Sequence, residues 1–195
     1  MKHILLLLAD GFEAYEASAF TDVFGWNFSE GNHMTKLVSA GQHNCLNCTW
    51  GYQCIPNYQL QDINYSDFDA LAIPGGFEES GFYRDAFSSE FSKVIQTFDH
   101  AKKPIGAICV GGLAVAYSGV LKGRKATTYG FSNSPRQAQM AKYGVSVQSK
   151  ERLVVDRNIM TSTGPETATD VAFWLLEQTS SADNVQQVKR RMGFS

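Results

Sequence analysis

The sequence predicts an α/β fold: a flavodoxin-like, doubly wound, mostly parallel sheet sandwiched by helices, with a small β-hairpin. Two observations carry this. Short, uninterrupted apolar runs alternate with amphipathic segments along the chain, as strands buried on both faces do. A length of 195 residues with 44% hydrophobic content suits one sizeable core, so residues 1–195 are expected to form a single domain.

The strands are expected at 4–9 (ILLLLA), 35–39 (TKLVS), 69–73 (DALAI), 104–108 (PIGAI), 152–155 (RLVV) and 158–161 (NIMT), with a short one at 125–128 (KATT). Helical spacing of apolar residues marks 14–27, 85–101, 110–118, 134–142, 165–179 and 182–191. Residues 43–56 break the alternation with polar residues, aromatics and Gly51, and read as the hairpin. The cationic run Lys189, Arg190 and Arg191 fits the last turn of a helix, where the helix dipole favours positive charge.

A net charge of −2 with scattered basic residues argues against a nucleic-acid partner. The apolar run Ile4–Ala9 is shorter than a signal-peptide core and is ended by Asp10, and no stretch approaches the ~18 apolar residues of a membrane span. A cytoplasmic protein with no membrane partner is expected. Its four cysteines (Cys45, Cys48, Cys54 and Cys109) are then free thiols rather than a disulfide scaffold.

In a sheet of this kind the ligand lies beyond the carboxyl ends of the strands. Those ends carry ADGFEAYE after the first strand, PGGFEES after 69–73, and Cys109 after 104–108, so three turns should converge on one cleft. Cys109 closes an apolar strand and opens the helical segment VGGLAVAYSG. A side chain at such a corner projects into the cleft, and the helix N-terminus behind it favours a thiolate. The N–H groups of Val110 and Gly76 are placed to receive an oxyanion.

The four segments LADGFEAYEASAFTDVF, LAIPGGFEES, AICVGG and TSTGPETATDVAFWLLE, in this order and spread over nearly the whole chain, resemble the DJ-1/PfpI (ThiJ) superfamily, and its DJ-1 branch most. The resemblance implies a homodimer and a nucleophile elbow at Cys109. It also implies that Glu16 is the carboxyl contacting the sulfur, protonated and donating to a thiolate. Asp22 matches an aspartate near the dimer contact, and Glu13 reads as an ordinary helix-surface acid. The implied activity is glyoxalase- or deglycase-like turnover of a small reactive carbonyl compound. The alternative is an oxidative-stress sensor or redox-regulated chaperone whose Cys109 meets an oxidant; a cysteine peptidase is a third reading. No cofactor and no metal are expected.

The sequence departs from its relatives in two places. The histidine that many of them hold near the cysteine is absent: Val110 follows Cys109, and Tyr129 stands in the later loop, where a site role and simple packing are both open. Tyrosine, with an ordinary pKa near ~10, is a poor base at neutral pH. Where DJ-1 has arginines at the dimer interface, this chain aligns Trp26 (or Gly25) and Trp50, so a more aromatic pocket is expected. His43, Cys45, Cys48 and Cys54 leave three readings: zinc ligands, a reversible Cys45–Cys48 disulfide, or plain hairpin residues.

Overall fold

The computed structural model describes residues 1–194. The strands are β1 (Lys2–Leu8), β2 (Thr35–Gly41), β3 (Leu46–Asn47), β4 (Gln53–Cys54), β5 (Tyr58–Gln59), β6 (Ala70–Ile73), β7 (Ile105–Ala107), β8 (Lys125–Ala126), β9 (Ser146–Val147), β10 (Leu153–Asp156) and β11 (Ile159–Ser162). The α-helices are α1 (Ala14–Glu30), α2 (Phe82–Ala86), α3 (Ser89–His100), α4 (Gly111–Tyr117), α5 (Arg136–Lys142), α6 (Ala168–Thr179) and α7 (Ala182–Met192).

Seven strands form the central sheet in the order β10-β11-β7-β6-β1-β2-β5. All its neighbours run parallel except the terminal β10–β11 hairpin. Ile4 to Leu8 of β1 and all of β6 are buried, as a parallel strand covered on both faces requires. Helices α1, α6 and α7 pack together on one face, and α2 to α5 pack as a chain of neighbours on the other. The expected flavodoxin-like sandwich is therefore the observed architecture.

Three local features differ from the expectation. The helix at 85–101 is two helices, because the Ser88 hydroxyl accepts from the Phe91 N–H (3.1 Å) and caps a new start for α3. The KATT strand is only β8, which pairs with β9 in a separate two-stranded parallel sheet. The edge strand β5 had no apolar signal in the sequence, since Tyr58 and Gln59 lie partly exposed beside β2.

The hairpin β3–β4 forms in the expected region and is tied to the loop after β1. The Gly11 N–H donates to the Asn47 carbonyl (2.7 Å), the Thr49 N–H to the Phe12 carbonyl (2.9 Å), and the Asn47 N–H to Asp10 Oδ1 (2.6 Å). The hairpin thus braces one wall of the cleft.

Candidate active site

The three strand-end turns converge as expected. An isolated antiparallel bridge joins Phe12 to Gly76, with the Glu13 N–H donating to the Gly75 carbonyl (2.8 Å) and the Phe77 N–H to the Gly11 carbonyl (3.3 Å). Glu16, in the first turn of α1 and fully buried, accepts the Gly75 N–H through Oε2 (2.5 Å). Gly75 has no room for a side chain: a Cβ there would lie 2.9 Å from Glu16 Oε2 and 3.0 Å from the Val110 nitrogen. The carboxyl, the glycine turn and the cysteine corner are packed as one unit.

Cys109 adopts φ 53°, in the left-handed region that a non-glycine residue rarely occupies, and is 6% exposed. The corner is held by its carbonyl, which accepts from Thr128 Oγ1 (2.8 Å) and from the Gly112 N–H (3.2 Å). A second pair of bonds, from the Ile108 N–H to the Ile73 carbonyl (3.0 Å) and from the Gly111 N–H to the Ile108 carbonyl (2.8 Å), fixes the strand before it.

The electrostatics of the pair differ from the expectation of a thiolate favoured by the helix start. Burial pushes the Cys109 thiol up, the Glu16 and Glu13 carboxylates add to the rise, and the Val110 N–H opposes it. The desolvation of the sulfur is the larger effect at this corner. Glu16 is itself raised to about 8, first by burial and then by the Glu13 charge, with the Gly75 N–H pulling the other way. Its carboxyl is therefore protonated at neutral pH. Glu16 Oε1 has no hydrogen-bond partner among the described residues, and the Cys109 thiol is near enough to influence the carboxyl.

Cys109 opens onto a cavity of about 330 Å³. Gly76, Val110 and Tyr129 line it, so the five residues singled out in the sequence share one place, with Glu16 behind the sulfur. Tyr129 is half-buried with its ring edge-on to Phe131 (centroids 5.5 Å apart). No histidine lines this cavity. A larger hollow of about 530 Å³ lies elsewhere, between α1 and β2, and no cysteine is among its described lining residues.

One lining residue is read differently by the sequence, and two more carry no signal in it. Glu13 is not a surface acid: it is 9% exposed, lines the cavity, and its carboxyl is raised by burial. Its position three residues before Glu16, on the same helical face, was the available signal. Tyr83 and Arg136 come from α2 and α5 and carry no motif. The Arg136 guanidinium lies 5.1 Å from the Tyr83 ring centroid and pairs with Glu78 (2.8 Å). The Tyr83 hydroxyl is buried without a partner, and burial raises it well above the ordinary tyrosine range.

The aromatic character of the cavity comes from Phe77, Tyr83 and Tyr129, not from the tryptophans expected to supply it. Trp50 touches it only through Phe77 (centroids 5.0 Å apart), and Trp26 stays on the outer side of α1 with Asp22. In the hairpin, Cys45 is exposed, Cys48 is buried and held at about 11 chiefly by that burial, and all four cysteines are free thiols. His43 faces Asp85 (3.1 Å), and among the described residues no His, Cys, Asp and Glu groups are assembled to hold a metal ion.

Comparison with known proteins agrees with this arrangement. The DJ-1/PfpI family model matches residues 2–178. The chain is 28% identical over 194 residues to Protein DJ-1alpha of Drosophila melanogaster, covering 98% of this chain and 83% of that one. It is 37% identical over 107 residues to General stress protein 18 of Bacillus subtilis, covering 55% and 58% respectively. The crystal structure of Drosophila melanogaster DJ-1beta superposes with a TM-score of 0.84 at 26% identity, covering 100% of this chain and 98% of that one. With one family model spanning the fold, the elbow and the buried carboxyl, this chain belongs to the DJ-1/PfpI family.

Proposed function

We propose that this protein uses Cys109 as a nucleophile toward small reactive carbonyl compounds, in glyoxalase- or deglycase-type chemistry. The observation that carries the reading is the strained, cavity-facing Cys109 packed against a buried, protonated Glu16. The thiolate adds to the aldehyde carbon of a 2-oxoaldehyde, and the resulting alkoxide is received by the Val110 and Gly76 N–H groups. A proton then moves from the former aldehyde carbon to its neighbour, and water releases a 2-hydroxy acid. Glu16 is the shuttle, because a carboxyl raised to about 8 both gives and takes a proton near neutrality. Tyr129 offers a hydrogen bond but no neutral-pH base, so turnover is slow, and Tyr129→His should raise kcat where Tyr129→Phe changes it little.

The family resemblance supports a homodimer, and the exposed Trp26 and Phe28 on α1 give that helix an apolar outer surface. No helix among the described residues is long and apolar enough to cross a membrane, which fits the proposed cytoplasmic location.

The test is consumption of methylglyoxal with formation of lactate by the purified protein. Cys109→Ser should abolish it. Undiminished turnover in that variant would place the chemistry elsewhere. A second reading, oxidation of Cys109 as a stress signal, is favoured by the similarity to General stress protein 18. It expects oxidation by dilute peroxide at Cys109 before Cys45, Cys48 or Cys54, in a protein without methylglyoxal turnover.

A further inference from the structure

The charge lining the Cys109 cavity is one-sided. Glu13, Glu78 and Glu79 face it, against a single basic residue, Arg136. Arg136 is already engaged: Nη2 lies 2.8 Å from Glu78 Oε2, Nη1 donates to Gln139 Oε1 (3.3 Å), and the guanidinium lies 5.1 Å from the Tyr83 ring centroid. Its charge offsets Glu78 and leaves Glu13 and Glu79 without a counter-ion in the lining. Glu166, close enough to raise Glu16, is paired with Arg152 (3.7 Å), so that arginine's charge is already engaged.

Two further observations concern what such a cavity accepts. At its mouth, a planar cation is held between a carboxylate and a tyrosine face, the geometry by which aromatic rings bind cations. Behind the Cys109 sulfur, which lines the inner end, the fully buried Glu16 has an oxygen with no hydrogen-bond partner among the described residues. A negatively charged group entering between these would meet Glu13 and Glu79 with no available cation to receive it.

We propose that this cavity selects uncharged and cationic small electrophiles and excludes those bearing a carboxylate, sulfonate or phosphate. Glu13 and Glu79 set the preference, and Arg136 is a mouth group held by Glu78, not an anion receptor. The proposal rests on Cys109 as the reactive nucleophile of the site, but not on carbonyl turnover. For carbonyl substrates it favours neutral 2-oxoaldehydes over 2-oxo acids and phosphorylated aldehydes.

Methanethiosulfonate reagents test the charge preference directly. The Cys109 thiolate attacks the sulfenyl sulfur, a mixed disulfide forms, and methanesulfinate leaves with the electron pair of the broken S–S bond. Rates are measured with the trimethylammonioethyl, sulfonatoethyl and methyl reagents on the full chain, read as the mass of the Cys109 peptide, and divided by the rates with 2-mercaptoethanol. At low ionic strength the normalised cation-to-anion ratio should be about tenfold, and it should shrink toward one in molar salt. Glu13→Gln with Glu79→Gln should lower the ratio, and Arg136→Gln, which frees Glu78, should raise it.

A wild-type ratio near or below one would overturn the proposal, as would failure of every reagent to label Cys109. A ratio that does not fall in Glu13→Gln with Glu79→Gln would also overturn it, by showing that these carboxylates do not set the preference. The salt dependence uses only the wild-type chain and so stands if a variant fails to fold. A protein that keeps the ratio but does not consume methylglyoxal retains this inference and loses the carbonyl reading. One that consumes methylglyoxal without the ratio does the reverse.

Discussion

At the scale of single residues, Cys109 was legible from its place at a strand-to-helix corner, whereas Glu16, in the first turn of the helix after β1, was legible only through the family resemblance. Tyr83 and Arg136 were not, because only packing brings α2 and α5 to this cavity. The direction of the thiol's shift was equally hidden, since burial is a property of the assembled core. Burial has a measurable consequence at Glu16. Its carboxyl is raised in the folded protein from 4.5 to about 8, so between those values the folded state holds a proton that the unfolded chain has released. Stability from this group is therefore fully present below about pH 4.5 and falls as pH rises toward about 8, by at most ~1.4 kcal/mol per pH unit. Glu16→Gln should flatten that slope. Urea unfolding of both proteins across this range checks it, and parallel curves would mean that Glu16 ionises in the folded protein as it does in the unfolded chain.

Among the elements, the apolar strands and long helices were readable from their periodicity, as the buried runs of β1 and β6 show. Two-residue strands such as β5 and β9 have no period to read and exist only because a neighbour offers them an edge. The division between α2 and α3 lies between these cases. Ser88 ahead of Ser89 and Glu90 is a helix-start signal, but the apolar spacing on either side ran through it. The Ser88 hydroxyl accepts from the Phe91 N–H (3.1 Å) and from Gln42 Nε2 (2.6 Å). Ser88→Ala should destabilise the fold by about 1 kcal/mol, as loss of an N-cap does, read from the urea midpoint at constant m-value. No change would mean that water replaces both bonds without cost.

Across the whole molecule, the outer end of the sheet is fastened by one buried cation. Arg124, 5% exposed, donates to Asp99 Oδ1 (2.9 Å), Asp156 Oδ1 (3.3 Å) and Asn158 Oδ1 (3.2 Å), joining α3 to the β10–β11 hairpin. Nothing in the sequence separates this arginine from the others, because its partners lie 25 to 34 residues away. Arg124→Ala strands two carboxylates and should cost about 3–5 kcal/mol in thermal or urea unfolding; a loss below about 1 kcal/mol would show the cluster to be no more than a surface pair. The same long-range assembly places Glu16, Gly75 and Cys109 together from three distant turns, and the central claim is that Glu16 there carries the proton that steadies the thiolate. The most direct measurement is titration of Cys109 by ultraviolet thiolate absorbance in the wild type, Glu16→Gln and Glu16→Ala, with Cys109→Ser as the blank. Below about pH 8, where Glu16 keeps its proton, the account expects the thiolate fraction to fall in that order, most in the alanine variant, because a carboxylic acid donates more strongly than an amide and alanine does not donate. Above it the Glu16 carboxylate opposes the thiolate and the glutamine variant overtakes the wild type. A glutamine variant with more thiolate than the wild type below about pH 8 would contradict it, because Glu16 would then be opposing the thiolate as a carboxylate where it should hold its proton.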